Sequence, residues 1–303
     1  MEFDAVLIAG PTASGKSREA LALAQAIGGV IINADSMQVY REAPILTAQP
    51  SAQDKAQVPH LLYGHVGASD VYSVGRWRDD AARALAEARE MKRVPIFVGG
   101  TGLYFSALTD GLADIPEIPA DIRDAARALL DEIGVEQLHA RLAARDPLTA
   151  SKLRPSDPQR VLRAYEVFEA TGRPLADWQN APAAPVLKDA RLASFVLDPP
   201  RPELRARIAR RFEAMVDEGG LAEAQSLAGL DPALPAAKLL GLRQLQGLAA
   251  GELSRAEALE SAITATRQFA KRQMTWFRGR MPHYIWYNPL HSNIITQYGE
   301  VSS

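Results

Sequence analysis

The eight residues Gly10-Pro11-Thr12-Ala13-Ser14-Gly15-Lys16-Ser17 constrain this chain more than any other segment. They fit G-x-x-x-x-G-K-[ST] at every defined position and follow the apolar run Ala5-Val6-Leu7-Ile8-Ala9. Such a loop wraps backbone N–H groups around phosphate oxygens, its lysine reaches the outer phosphates, and its hydroxyl can ligate Mg²⁺. The context fits: a buried strand leads in, and Arg18–Ile27 reads as an amphipathic helix whose N-terminus faces the anion. A chance glycine-rich turn is the bland alternative; the placement between strand and helix argues against it. The motif implies a diphosphate or polyphosphate ligand without saying what is done with it.

Periodicity extends this start into a fold. Val6–Ala9 and Gly29–Asn33 read as strands joined through one helix, hence parallel with a right-handed crossover. Arg76–Lys92 is predicted helical, with Trp77, Ala81, Ala84, Leu85 and Ala88 on one face. Val94–Val98 reads as a third buried strand ending in Gly99-Gly100-Thr101-Gly102, before a helix over Leu103–Leu108. Leu192–Leu197 reads as a later strand. Alternating strands and helices predict an α/β fold, a P-loop NTPase-like doubly wound parallel sheet. Ligands of such sheets sit at the carboxyl ends of strands, so residues 10–17, Asp35 and Thr101 are expected to meet in one crevice. Proline-punctuated residues 113–157, with predicted helices Ile122–Leu130 and Val135–Ala144, are expected to form a helical insertion domain. The core is then discontinuous, 1–112 and 158–287, and the polar tail 288–303 is expected to be loose.

Composition excludes several chemistries. With 303 residues and 47% hydrophobic content the chain can build a sizeable core, and its net charge of −2 advertises no polyanionic partner. There is no cysteine, so disulfides, thiolate nucleophiles and Cys-based zinc sites are absent together. The five histidines show no metal-ligand spacing. No apolar run is long enough to span a bilayer and we read no signal peptide, so no membrane partner and a cytoplasmic location are expected.

Local features carry the chemistry. Asp35-Ser36 follows the second strand. A carboxylate there can bind Mg²⁺, act as general base or cap a turn; capping is the common fate of Asp-Ser, and proximity to the loop favours function. Thr101 can offer its hydroxyl to a phosphate or nucleophile, or merely occupy a glycine-rich bend. Arg201, Arg205, Arg207, Arg210 and Arg211 fall within eleven residues, with Arg207 and Arg211 four apart on one helical face. Arg267, Lys271, Arg272, Arg278 and Arg280 form a second cluster interleaved with Phe269, Trp276 and Phe277. Cations mixed with aromatics suit a phosphate backbone and stacked bases. One such cluster is ordinarily a solvated helix face; two on a near-neutral chain point to RNA or another polyanion. Asp157-Pro158 starts a helix with Asp157 as N-cap, and Gln159, Arg160 and Arg163 project together.

These motifs together resemble the bacterial tRNA dimethylallyltransferase family, also called tRNA isopentenyltransferases or IPP transferases. The likeness rests on Gly10–Ser17, Asp35-Ser36-Met37-Gln38-Val39-Tyr40, Val98–Tyr104, Asp157–Arg163 and Thr266-Arg267-Gln268-Phe269-Ala270-Lys271-Arg272-Gln273-Met274-Thr275-Trp276-Phe277, in order over nearly the whole chain. The resemblance implies transfer of the dimethylallyl group of dimethylallyl diphosphate to N6 of adenosine 37, in tRNAs that read codons beginning with U. Gly10, Pro11, Thr12, Ala13, Ser14, Gly15, Lys16 and Ser17 would form the donor loop, with Thr12 to Ser17 gripping diphosphate and Ser17 holding Mg²⁺. Asp35 would be the general base, with Lys16, Thr101 and Arg211 as further catalytic residues. Asp35, Ser36, Met37, Gln38, Thr101, Arg123, Gln159, Arg160, Val161, Leu162, Arg163, Lys271 and Arg272 would contact the tRNA anticodon stem-loop. Eukaryotic relatives add a zinc finger, which a chain without cysteine lacks. A monomer is expected. The alternative is a small-molecule kinase using the same loop for ATP.

The sequence departs from the family at Leu46 and Gln49, where glycine and lysine are usual, and at Leu242, where tyrosine is common. One cationic contact and the local backbone shape are therefore expected to differ.

Overall fold

A computed structural model describes residues 3–181 and 183–302. The chain forms two compact units, one taking residues up to Thr109 and from Val186 onward, the other Asp110–Pro185. The first unit opens with β1 (Ala5–Ala9), α1 (Lys16–Ile27), β2 (Gly29–Asn33), α2 (Ala52–Gln57), β3 (His60–Leu61), α3 (Val74–Glu90), β4 (Val94–Gly99) and α4 (Gly102–Thr109). The second unit holds α5 (Ala120–Arg145), α6 (Pro147–Ala150), α7 (Pro158–Thr171) and α8 (Leu175–Gln179). The chain then returns to the first unit as β5 (Leu192–Leu197), α9 (Arg201–Met215), α10 (Leu221–Ser226), α11 (Leu242–Ala249), α12 (Arg255–Arg280), β6 (Ile285–Tyr287) and α13 (Ile294–Val301).

One six-stranded sheet, ordered β3-β2-β4-β1-β5-β6, runs through the first unit, and every pairing is parallel. Every residue of β1, β2 and β4 is buried, which is why those strands read as continuous apolar runs rather than alternating ones. The order makes β2, β4 and β1 neighbours. Their carboxyl ends, with the phosphate loop, Asp35 and Thr101 attached, therefore open side by side, as the doubly wound reading requires.

The tail is ordered, which corrects the expectation of a loose end. Ile294 is fully buried, and its N–H donates to the carboxylate of Glu19 on α1 at 2.8 Å. Tyr298 meets Phe3 edge-on at 5.7 Å. The cause is an apolar stripe at Ile294, Tyr298 and Val301, spaced four and three residues apart, whose packing outweighs the polar composition.

In the second unit the two predicted helices run as α5 with a break at Gly134, whose φ of 78° and ψ of 165° are not helical. α7 packs along α5, and Ile118, Leu142, Ala150, Ala164, Val167 and Leu175 share one core. That apolar face of α7 carries the unit to Pro185, beyond the boundary at 157 read from prolines. Among the described residues, no helix is long and apolar enough to cross a membrane.

Candidate active site

The loop after β1 is shaped by its backbone. Ala13 and Gly15 have φ of 62° and 94°, and Gly15 is the N-cap of α1. The left-handed turn at Gly15 is why glycine stands before the lysine. Lys16 is only 7% exposed and donates from Nζ to the carbonyl of Pro11 at 3.4 Å. Burial lowers its pKa to about 8; Asp35 opposes the shift and Arg211 adds to it. The Ser14 hydroxyl is buried without a partner inside the same loop. A phosphate oxygen would satisfy it, and a buried orphan hydroxyl otherwise costs about 1–3 kcal/mol.

Helix α9 brings two cations to this loop. Arg207 Nη1 donates to the Ser14 carbonyl at 3.1 Å, while its Nε donates to Glu203 at 2.8 Å. Arg211 Nη1 donates to Thr12 Oγ1 at 3.2 Å and Nη2 to the Thr47 carbonyl at 3.4 Å. Burial lowers the pKa of Arg211, with Asp35 opposing. A cavity of about 440 Å³ opens here, lined among others by Lys16, Ser17, Gln38, Tyr63, Arg207 and Arg211. An ammonium and two guanidiniums around one loop form an anion cradle.

Asp35 is held at the end of β2 by a buried polar network. Asn33 accepts from the Asp35 N–H at 2.9 Å and donates to the carbonyls of Asp35 and Leu62. Trp77 donates to the Asn33 carbonyl at 3.0 Å and stacks on Tyr104, with centroids 4.0 Å apart. Oδ1 of Asp35 accepts from Met37 N–H at 3.0 Å. Among the described residues Oδ2 has no hydrogen-bond partner and is left to accept. The turn-capping reading of Asp35 is thus realised at Oδ1. Burial, with Asp35 nearby, holds the phenols of Tyr63 and Tyr104 well above the usual tyrosine range, so both stay neutral.

The turn after β4 holds the Asp35-Ser36 segment. Thr101 Oγ1 accepts from Ser36 N–H at 2.9 Å and lies 3.1 Å from the Ser36 hydroxyl. Thr101 N–H donates to Ala34 at 3.2 Å. Thr101 therefore fixes the Asp35-Ser36 turn. Met37 is half-buried beside it. Gln38 is buried, its amide donating to Thr47 and Ala48 at 3.0 and 2.8 Å, so it supports the wall of residues 43–50.

Two of the three departures from the family pattern, Leu46 and Gln49, lie in that wall. The carboxylate of Glu223 accepts from the N–H groups of Ile45 and Leu46 at 2.7 and 2.8 Å, and Leu46 is buried. Gln49 lines the cavity, and its amide donates to the Tyr40 carbonyl at 2.7 Å. Leu242 is buried at the start of α11, after the left-handed Gly241.

On α12, Lys271 and Arg272 are exposed, and Arg272 lies over the Phe269 ring at 5.8 Å. Gln273, between them and the core, is buried. In the second unit, Asp157 caps α7 by accepting from Arg160 N–H at 3.1 Å. Gln159, Arg160 and Arg163 are exposed, Leu162 and Arg123 are half-buried, and Val161 is fully buried. The Val161 side chain therefore belongs to packing rather than to an open face. Glu166 sits beside Arg163, and burial raises its pKa against the pull of Arg163, Arg127 and Arg123.

Sequence reasoning grouped Arg207 with Arg211 on one helical face but did not assign roles to Asn33, Glu223 or Gln273. A signal existed for two. Asn33 ends an otherwise apolar strand, and Gln273 shares the helical face of Thr266, Ala270, Met274 and Phe277. A buried amide needs partners.

Among the described residues, no group of three or more His, Cys, Asp or Glu is placed to hold a metal ion. Ser17, exposed at the start of α1, offers one hydroxyl to the cavity. That donor set fits Mg²⁺, which keeps waters and takes phosphate oxygens rather than needing a protein cage.

A parallel sheet carrying a phosphate loop after β1, with a carboxylate at the end of β2, one strand further along past β4, defines a phosphate-loop transferase. The family profile described as IPP transferase matches residues 38–280, and that described as isopentenyl transferase matches residues 3–58. The chain is 54% identical over 285 residues to a tRNA dimethylallyltransferase of Azorhizobium caulinodans, covering 93% of this chain and 91% of that one. It is similar to the crystal structure of a tRNA isopentenylpyrophosphate transferase from Bacillus halodurans, with TM-score 0.68, 32% identity and coverage of 99% and 94% of the two chains. A eukaryotic dimethylallyltransferase, solved acting on tRNA, matches with TM-score 0.76 and 27% identity over 90% of this chain and 69% of that one. The chain belongs to the IPP transferase family.

Proposed function

We propose that this chain transfers the dimethylallyl group of dimethylallyl diphosphate to N6 of adenosine 37 in tRNAs reading codons that begin with U, releasing diphosphate. The observation that carries this reading is an anion cradle whose Lys16 and Arg211 feel the charge of Asp35, a carboxylate with one oxygen free of hydrogen-bond partners among the described residues. Membership of the IPP transferase family removes the reason for preferring a small-molecule kinase.

The exocyclic amine of adenine is a poor nucleophile because its lone pair is delocalised into the ring. The N6–C bond forms as the C–O bond to diphosphate breaks, and N6 must lose a proton. Asp35 Oδ2 takes that proton, while Oδ1 stays tied to Met37 N–H and keeps the carboxylate oriented. Lys16, Arg211 and the loop amides oppose the charge that builds on the leaving diphosphate, at about 3–4 kcal/mol for a well-placed donor. Ser17 would hold Mg²⁺, which supplies further counter-charge to the diphosphate when bound. Thr101 keeps the Asp35 turn in place. Taking the adenine out of its stack costs on the order of a few kcal/mol, least in a single-stranded loop. Phosphate contacts by Arg123, Gln159, Arg160, Arg163, Lys271 and Arg272 offset that cost.

A tRNA substrate supports a cytoplasmic location. Mass analysis of nucleosides from tRNA incubated with dimethylallyl diphosphate and Mg²⁺ tests the reading: N6-(dimethylallyl)adenosine at position 37 is expected. Transfer of phosphate from ATP to a small molecule, with the prenyl donor unused, overturns it.

A further inference from the structure

The phosphate loop and the turn after β4 are joined at their roots by a backbone hydrogen bond, Gly10 N–H to Gly99 carbonyl at 3.3 Å. Beyond that root they share a side chain. Gln273, buried on the inner face of α12, accepts from the Thr12 N–H at 2.9 Å through Oε1. Its Nε2 donates to the Gly100 carbonyl at 2.8 Å. Both ends of one planar amide are thus used, one on the loop that would cradle diphosphate and one on the turn that holds Asp35. A Cβ on Gly100 would collide with Gln273 Nε2 and lie 3.1 Å from Asp35 Oδ2, so the three groups meet around a position only glycine can fill.

Two consequences follow from this geometry. The Thr12 N–H is already engaged, so diphosphate must be held by the later amides of the loop, with Thr12 oriented by Gln273 on its backbone and by Arg211 on its hydroxyl. Beyond the Gly10–Gly99 root, the separation between the anion cradle and the free oxygen of Asp35 depends on a side chain of a third element, because the loop and the turn share no side-chain hydrogen bond with each other among the described residues. We propose that Gln273 is a positioning residue, fixing the phosphate loop against the Gly100-Thr101 turn and so the distance between the leaving diphosphate and the proton acceptor. This deepens, and rests on, the prenyl-transfer reading. Gln273 touches neither reacting group. Because Lys271 and Arg272 lie on the outer face of the same helix turn, the element that would meet RNA also holds the donor loop.

The test uses the full chain with Gln273→Met and Gln273→Glu. Methionine keeps the length and flexibility of the side chain and removes both hydrogen bonds. It should lower kcat by roughly 10–100-fold and weaken inorganic diphosphate binding several-fold by calorimetry, with tRNA affinity within about twofold of the unsubstituted chain. Glutamate discriminates positioning from packing. Ionised, it can accept from Thr12 N–H but cannot donate to Gly100; protonated, it reproduces both bonds. Burial and the facing Asp35 favour the neutral acid, while Lys16 and Arg211 oppose it. The ratio of Gln273→Glu to unsubstituted activity, and the same ratio for diphosphate affinity, should therefore rise as pH falls from about 8 to about 6. A Gln273→Met chain with unchanged kcat and diphosphate affinity, or flat ratios for Gln273→Glu, overturns the proposal. If the unsubstituted chain transfers no prenyl group, the functional reading fails by itself, and the diphosphate measurements still decide the role of Gln273.

Discussion

Helices α9 and α12 each carry five cations in a short stretch, Arg201–Arg211 on one and Arg267–Arg280 on the other, yet the two sets meet different surroundings. α9 turns Arg207 and Arg211 onto the phosphate loop, where both are half-buried and hydrogen-bonded to loop or wall oxygens. α12 keeps all five of its cations exposed and sends an uncharged amide, Gln273, inward. A half-buried guanidinium pays a desolvation cost that a local anion must offset, and it acts at short range with little screening. An exposed cation keeps its water, is screened by salt, and acts on a polyanion through counterion release. The same residue types thus sit in two environments, decided by which way the helix faces them.

In the proposed reaction the inward cations stabilise the leaving group and Asp35 takes the proton, so the sharpest way to break the contrast is Asp35→Asn. Transfer should fall by roughly 10³-fold, while diphosphate and tRNA binding stay near their original values. Near-normal turnover would show that the base lies elsewhere. Next in size, Arg211→Gln should lower kcat/KM for the donor by about 10²-fold with no change in the salt dependence of tRNA binding. A changed salt slope would place Arg211 with the outward set. Removing the outward pair, Lys271→Ala with Arg272→Ala, should weaken tRNA binding about tenfold and reduce the slope of log affinity against log salt by about 2. Single-turnover transfer at saturating tRNA should be preserved; a large loss there would make the pair part of the donor machinery.

The smallest effect concerns pH. With the Lys16 pKa lowered to about 8 by burial, its cation is progressively lost above that value in the ligand-free protein. Bound diphosphate favours the protonated form, so donor binding takes up a proton as pH rises past 8. The donor KM should be about fourfold higher at pH 8.5 than at pH 7, and calorimetry in buffers of different ionisation enthalpy should show proton uptake. A KM flat over this range would mean that Lys16 does not carry the shifted ammonium the cradle relies on.

Much of the fold was written in local pattern. The apolar runs at 5–9, 29–33, 94–98 and 192–197 are strands at nearly those residues, because strands buried on both faces tolerate little else. Asp157 and Pro158 start α7 where their chemistry places a helix N-terminus. The tail was misread because composition was weighed above spacing; Ile294, Tyr298 and Val301 form a stripe that docks on α1. β3 and β6, of two and three residues, are too short for any periodicity to be visible, and they exist because the edges of a sheet already built offer hydrogen bonds.

The sequence by itself determined that a phosphate loop joins a buried strand to a helix, and that a carboxylate and a threonine follow two further strands. Those are nearest-neighbour properties of the chain, set by backbone freedom at glycine and by side-chain burial. Only the tertiary structure decided that β4 lies between β2 and β1, that Arg207 and Arg211 face the loop while Lys271 and Arg272 face away, and that Gln273 joins residues 173 and 261 positions distant. Contacts at such separations leave no local pattern: they arise from how whole elements pack, and the energy that selects them is spread over a core that no single segment contains.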